Sequence, residues 1–207
     1  MIAIMDYGIG NLGSVKNALD YLGFDSIITS DKNVILNADK VILPGVGAFS
    51  DAINTFKKYG FDKVLSELIQ KEKPILGICV GMQLLFDLDY EHGIYEGLKI
   101  LRGEVVKFES NNNEYKIPQM GWNQIEVVRE NKLLKGVDGK NVYFVHSYYV
   151  TNNLEDVIAY TEYAGVKYAS AVNRGNLYAT QFHPEKSGEV GLKILKNFGE
   201  LWKYIQQ

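Results

Sequence analysis

The sequence predicts an α/β fold in which a mostly parallel sheet is flanked by helices and an antiparallel, strand-rich layer occupies the second half. Two observations carry that expectation. In the first half, short apolar runs alternate with stretches of helical periodicity, the rhythm of βαβ units with helices on both faces of a parallel sheet. In the second half, helical periodicity gives way to strand-like runs separated by turn residues, which is a hairpin pattern.

Taken in order, Ile2–Met5 is a short apolar strand, and Val15, Ala18, Leu19 and Leu22 then recur at helical spacing. Ser26–Thr29 reads as a second strand and Val41–Leu43 as a third, ended by Pro44-Gly45-Val46-Gly47. Helical pattern follows over Ala48–Lys58 and Phe61–Lys71, the latter with Val64, Leu65, Leu68 and Ile69 on one face. Ile75–Ile78 is a fourth strand, after which Met82, Leu84, Leu85 and Phe86 suggest an apolar helical face. Further strands are expected at Gly103–Phe108, Trp122–Val128, Asn141–Tyr149, Val157–Tyr163, Val166–Val172 and Leu177–Phe182, with Asn111-Asn112-Asn113 a polar loop. From Glu189 onward, Val190, Leu192, Ile194, Leu195, Phe198, Leu201 and Trp202 form a closing helix. With no internal repeat, low-complexity tract or linker, residues 1–207 are expected to form one domain.

Bulk composition narrows the function. The 207 residues are 46% hydrophobic and 23% charged with a net charge of −3, which argues against nucleic acid as the main partner. No apolar run approaches the ~20 residues of a membrane span. A single cysteine permits no intrachain disulfide, and the N-terminus lacks a basic leader, so a cytoplasmic protein is expected.

That cysteine sits in Gly77-Ile78-Cys79-Val80-Gly81, the nucleophile-elbow pattern with sulfur in place of a serine oxygen. A sharp strand-to-helix turn crowds the positions two residues to either side, which is the reason for the glycines. A following helix would favour the thiolate. A small buried core residue is the equally available alternative for a lone cysteine.

A cysteine nucleophile needs a base, and the chain has three histidines. His92 lies in a charged loop, and His146 lies mid-strand, where a structural role is expected. His183 ends a strand, as Cys79 does, and sites in open α/β sheets form at the carboxyl ends of strands. Pro184 stops that strand, and Glu185 can fold back to orient the imidazole. Acyl transfer also needs oxyanion donors. Val80 N–H is one, and a second could come from the Pro44–Gly47 loop. An ordinary turn is the plainer alternative for that loop.

Gly8-Ile9-Gly10-Asn11-Leu12-Gly13 matches a dinucleotide fingerprint, with Asp31 placed 18 residues past Gly13 (31 − 13). Bulky, charged Asp6-Tyr7 before it weakens that reading. The alternative is a glycine-rich turn with Asn11 capping a helix.

Gly77–Gln83 together with Phe182-His183-Pro184-Glu185 resembles the class I glutamine amidotransferases. Six segments spread along the chain resemble, within that class, the glutaminase subunits of imidazole glycerol phosphate synthases: Asp6–Leu12, Pro44–Phe49, the elbow through Phe86, Met120–Asn123, Phe144–Tyr148 and Gln181–Ser187. The resemblance implies a flavodoxin-like sheet and hydrolysis of glutamine through a glutamyl thioester. Cys79 would be the nucleophile, His183 the general base and then acid, and Glu185 its orienter. Val46, with Gly47 beside it, would join Val80 as oxyanion donor, either directly or after a peptide flip. Gln83, Glu91, Ser147 and Tyr148 match positions that hold glutamine; from its loop context alone Glu91 reads as a solvated charge. No metal or cofactor is implied.

The chain stops 22 residues past Glu185 (207 − 185), so no fused acceptor domain is expected. The resemblance implies delivery of ammonia to a separate (β/α)8-barrel cyclase in a heterodimer, within histidine biosynthesis. Trp122, Asn123 and Lys186 would lie near that interface, although a core position is the alternative for Trp122. Gln119 stands where the family usually has His, Val80 where Leu is common, and Asn111–Lys116 forms a longer polar loop. Related subunits feed other acceptors, such as an aminated surface sugar, which is the alternative pathway.

Overall fold

A computed structural model describes residues 1–109, 115–151 and 155–201 of the chain; Asn111–Asn113 and Trp202 lie outside them. The first half reads β1 (Ile2–Met5), α1 (Leu12–Tyr21), β2 (Ser26–Thr29), α2 (Lys32–Asn37), β3 (Lys40–Leu43), α3 (Phe49–Lys58), α4 (Phe61–Gln70), β4 (Ile75–Ile78) and α5 (Val80–Gln83). There follow β5 (Leu88–Asp89), β6 (Tyr95–Glu96), β7 (Glu104–Lys107), β8 (Gln119–Gln124), β9 (Glu126–Val127), β10 (Asn141–His146) and β11 (Tyr148–Thr151). The chain continues through β12 (Val157–Tyr163), β13 (Val166–Arg174) and β14 (Leu177–Thr180), a 3-10 turn over Pro184–Lys186, and α6 (Gly188–Gly199).

The main sheet runs β2-β1-β3-β4-β14-β13-β12-β9. Its first five strands are parallel, in the flavodoxin-like order once β14 is counted as the fifth. Beyond β14 the pairing turns antiparallel, so the hairpin-rich layer continues the parallel sheet. Every residue of β1, β3, β4 and β14 is buried, as strands covered on both faces must be. A second sheet, β11-β7-β5-β6, and the pair β10-β8 complete the antiparallel half.

Three segments differ from the expectation. The apolar run after Cys79 is helical for one turn only. Leu84, Leu85 and Phe86 are buried, but their carbonyls accept N–H groups from Leu98, Lys99, Ile100 and Leu101, so the helix cannot continue. Asn141–Tyr149 is not one strand. It breaks at Ser147, where the chain leaves β8 as partner and joins β7. Trp122–Val128 begins earlier, at Gln119, and divides at Ile125 between two sheets. Helix α2 was not anticipated; Asp31 caps it, its carboxylate accepting the N–H groups of Asn33 (2.8 Å) and Val34 (3.3 Å).

Candidate active site

Strands β3, β4 and β14 are neighbours in the parallel sheet, so the loops at their carboxyl ends meet. Cys79 follows β4 with φ +55° and ψ −111°, a backbone conformation that costs an L-residue about 1–3 kcal/mol. Its N–H is held by Thr180 O on β14 at 2.8 Å. A methyl group at Gly81 would lie 2.1 Å from Leu43 O, and one at Gly45 would lie 2.5 Å from Gly81 N. Both glycines are therefore required for the β3 loop and the elbow to touch. Helix α5 is too short for its dipole to support the sulfur, so that support comes from side chains.

His183 follows β14. Its N–H donates to Tyr143 O (2.9 Å), and its carbonyl accepts the Ser187 hydroxyl (2.6 Å). These bonds pin the 3-10 turn that Pro184 opens. His183 Nδ1 meets Glu185 Oε1 at 2.8 Å, and both side chains are 1% exposed. Nε2 is buried and makes no conventional hydrogen bond, leaving the Cys79 sulfur as the group that acts on it. Burial opposes charge on His183. Hydrogen bonding and charge attraction to Cys79, followed by the same pair of effects from Glu185, outweigh it and raise the pKa to about 10. Both partners thus favour the protonated ring.

A cavity of about 300 Å³ opens over Cys79. The β3 loop contributes Val46 and Gly47, and the elbow contributes Val80 and Gln83. Ser147 and Tyr148, at the break between β10 and β11, also line it, as does Glu91. Seven of the site residues expected from sequence thus share one cavity with the sulfur. Glu91 is not the free loop charge its context suggested: Oε2 accepts the Phe49 N–H at 2.6 Å, at the first turn of α3 and directly past the Val46–Gly47 loop.

Trp122, Asn123 and Lys186 lie outside this cavity. Trp122 is 57% exposed rather than core, and it meets Tyr143 edge-on, with ring centroids 6.1 Å apart. Lys186 Nζ stands 5.9 Å from the centroid of the same Tyr143 ring, so Trp122 and Lys186 flank one aromatic. Asn123 donates to Glu162 O at 2.9 Å. Other cavities, of about 540 Å³ beside Asp6–Gly8 and about 380 Å³ beside Lys132 and Lys193, are lined by neither cysteine nor histidine.

Three site residues escaped the sequence reading, and a fourth residue, His146, keeps the structural role expected of it. Gln181 contacts the sulfur, at 3.6 Å from Nε2. Asn11 occupies the N-cap position of α1 without capping it; its side chain donates to Glu185 Oε1 at 3.4 Å. Since Asp31 is committed to α2, the Gly8–Gly13 turn supports the triad carboxylate and presents no acid for a ribose. Asp89 is fully buried and accepts the Glu91 N–H at 2.7 Å. Burial raises its pKa to about 7, with that N–H opposing and the Glu91 charge assisting. His146 is buried with its pKa lowered to about 4, chiefly by desolvation, and holds Tyr148 O at 2.8 Å as a neutral ring.

Residues 3–201 match the glutamine amidotransferase class-I family. The chain is 52% identical over 207 residues to imidazole glycerol phosphate synthase subunit HisH of Caldanaerobacter subterraneus subsp. tengcongensis, covering 99% of this chain and all of that one. It is 48% identical to the HisH subunit of Geobacter sulfurreducens, covering 97% and 98%. In three dimensions it is similar to PurLQS from Thermotoga maritima, with a TM-score of 0.72 at 17% identity over 95% of this chain and 96% of that one. With Cys79 and His183–Glu185 at adjacent strand ends, and with relatives of this similarity along its whole length, the chain belongs to the class I glutamine amidotransferases and, among them, to the imidazole glycerol phosphate synthase HisH subunits.

Proposed function

We propose that this chain hydrolyses glutamine to glutamate and ammonia and passes the ammonia to a separate subunit. The observation that carries the proposal is the pairing of Cys79 with a buried, Glu185-bound His183 beneath a cavity walled by the Val46–Gly47 loop. The thiolate of Cys79 attacks the carboxamide carbon. The oxyanion is received by Val80 N–H and, after a peptide flip, by Val46 N–H; one such donor is worth about 2.7–4 kcal/mol in the transition state. His183 gives its proton from Nε2 to the departing nitrogen, and ammonia leaves. The now-neutral ring takes a proton from water, whose oxygen attacks the thioester. Glu185 holds the tautomer throughout. Gln83, Ser147 and Tyr148 hold the substrate, while Glu91 presents its second oxygen to the substrate ammonium.

The acceptor in this proposal is a (β/α)8-barrel cyclase that forms imidazole glycerol phosphate and an aminoimidazole carboxamide ribotide in histidine biosynthesis. The names of the relatives support that pathway and do not favour a sugar acceptor. Exposed Trp122 and Lys186, with Asn123, supply the docking face, and residues 1–207 act as one amidotransferase domain in the cytoplasm. Among the described residues, no helix is long and apolar enough to cross a membrane.

Glutamate release by the chain, alone and with a barrel cyclase and its nucleotide ligand, tests the proposal. The expected result is a low basal rate raised about 5–150-fold or more, the span of ordinary coupling between sites. Equal rates with and without the cyclase would point to a hydrolase that acts alone.

A further inference from the structure

Behind Cys79, two buried amides form a chain whose polarity a backbone carbonyl fixes. Gln83 is 6% exposed and Gln181 fully buried. Gln83 Nε2 donates to Tyr148 O at 3.2 Å and to Gln181 Oε1 at 3.1 Å. Gln181 Nε2 then lies 3.6 Å from Cys79 Sγ, within reach of an N–H···S hydrogen bond. The two ends of a carboxamide have nearly the same shape, so their identity follows from their partners. Tyr148 O can only accept. The end of Gln83 that faces it is therefore the NH2 group, and that group requires an acceptor from Gln181. The remaining end of Gln181, which is its NH2, is left facing the sulfur. Reversing either amide would set two oxygens or two NH2 groups against each other, inside a site where an unmet polar group is costly.

We propose that Gln181 is a hydrogen-bond donor to the Cys79 nucleophile and stabilises negative charge on its sulfur. The inference rests on the glutaminase reading for its place in turnover, but not for its geometry. Charge resides on that sulfur twice in the cycle. In the resting pair the proton is on His183. In thioester hydrolysis His183 Nε2 takes one proton of water, and the hydroxide oxygen bonds to the acyl carbon. The C–S bond then breaks with its electron pair on sulfur, His183 keeps its proton, and the acid formed releases its own proton to solvent. Gln181 N–H points at the atom that gains charge in that last bond cleavage. A sulfur acceptor at 3.6 Å is longer and softer than an oxyanion, so a tenfold effect, rather than the ~10²–10³ of an oxyanion donor, is the expected scale.

The chain has one cysteine, which makes alkylation an unambiguous probe. Iodoacetamide inactivation of the full chain, followed from about pH 6 to about pH 10, reads thiolate reactivity without any glutamine. Gln181→Met keeps the volume and removes the donor; Gln181→Glu keeps the shape and the acceptor for Gln83 but turns an acid towards the sulfur. The expected result is alkylation about tenfold slower at pH 7 in Q181M, with its pH profile moved to higher pH, and a further move in Q181E. Should Q181M not fold, Gln181→Leu, which also lacks the donor and adds no charge, takes its place. A folded variant with the wild-type alkylation profile would overturn the proposal and leave Gln181 a packing residue. A shifted profile in a chain that never releases glutamate would uphold the donor while refuting the glutaminase reading.

Discussion

Cys79→Ala lowers glutamine hydrolysis by on the order of 10⁴–10⁶-fold, the loss seen when the nucleophile of a triad is removed. It leaves ammonia-supplied synthesis by the partner intact. The reason for the first effect is local. Without sulfur there is no thioester, and His183 is oriented toward the sulfur position rather than toward a water on the carboxamide. The reason for the second is that the substitution removes one buried atom from a well-supported turn. The Cys79 N–H remains bonded to Thr180 O, and the glycine contacts that shape the elbow do not involve the side chain. Glutamate release and ammonia-dependent product formation, measured on the same complex, separate the two effects. Glutamate release at the wild-type rate in C79A would remove Cys79 from the chemistry.

Gly81→Ala produces the second large effect, and it reaches function through the fold. The added carbon would meet Leu43 O at 2.1 Å and Leu43 C at 3.0 Å, both backbone atoms of the fully buried β3. Neither can yield as the tip of a flexible side chain could, so the elbow or the strand end must move. Overpacking of this kind costs about 1–3 kcal/mol or more. A displacement of ~1 Å at the nucleophile costs ~10² in rate. G81A should therefore lower the urea midpoint and, in the fraction still folded, reduce glutamate release by about 10²-fold or more. An unchanged midpoint would mean that the close approach of the two loops is not a constraint.

Legibility in the sequence divides along a physical line. Features set by neighbours in the chain were readable. β1, β2 and β4 have the expected bounds because each is a four-residue run bounded by turns or helix signals. The Cys79 turn was signalled by glycines two residues to either side, and the His183–Glu185 pair by a proline that ends a strand. Features set by distant residues were not readable. The helix after Cys79 stops at Gln83 because the 98–101 segment takes its carbonyls. Glu91 looked solvated because its partner, Phe49, is 42 residues away. Asn11 looked like an ordinary cap because Glu185 is 174 residues away. Gln181 sat unnoticed within a motif because its two partners, Gln83 and Cys79, are 98 and 102 residues distant. Asp31 was weighed only as a ribose acid, because of the glycine fingerprint that precedes it, and its capping of α2 went unread. The break at Ser147, which places Ser147 and Tyr148 on the cavity wall, follows from a change of strand partner that leaves no mark on a run of aromatic and β-branched residues.

In the proposed reaction glutamine is split through a covalent bond to Cys79, with ammonia leaving before water enters. Acid-quenching the complex during glutamine turnover and weighing the peptide that contains Cys79 tests it directly. The expected result is a peptide that carries the added mass of one glutamyl group, on wild-type chain and not on C79A. Turnover in which that peptide is never modified, while glutamate still accumulates, would contradict it.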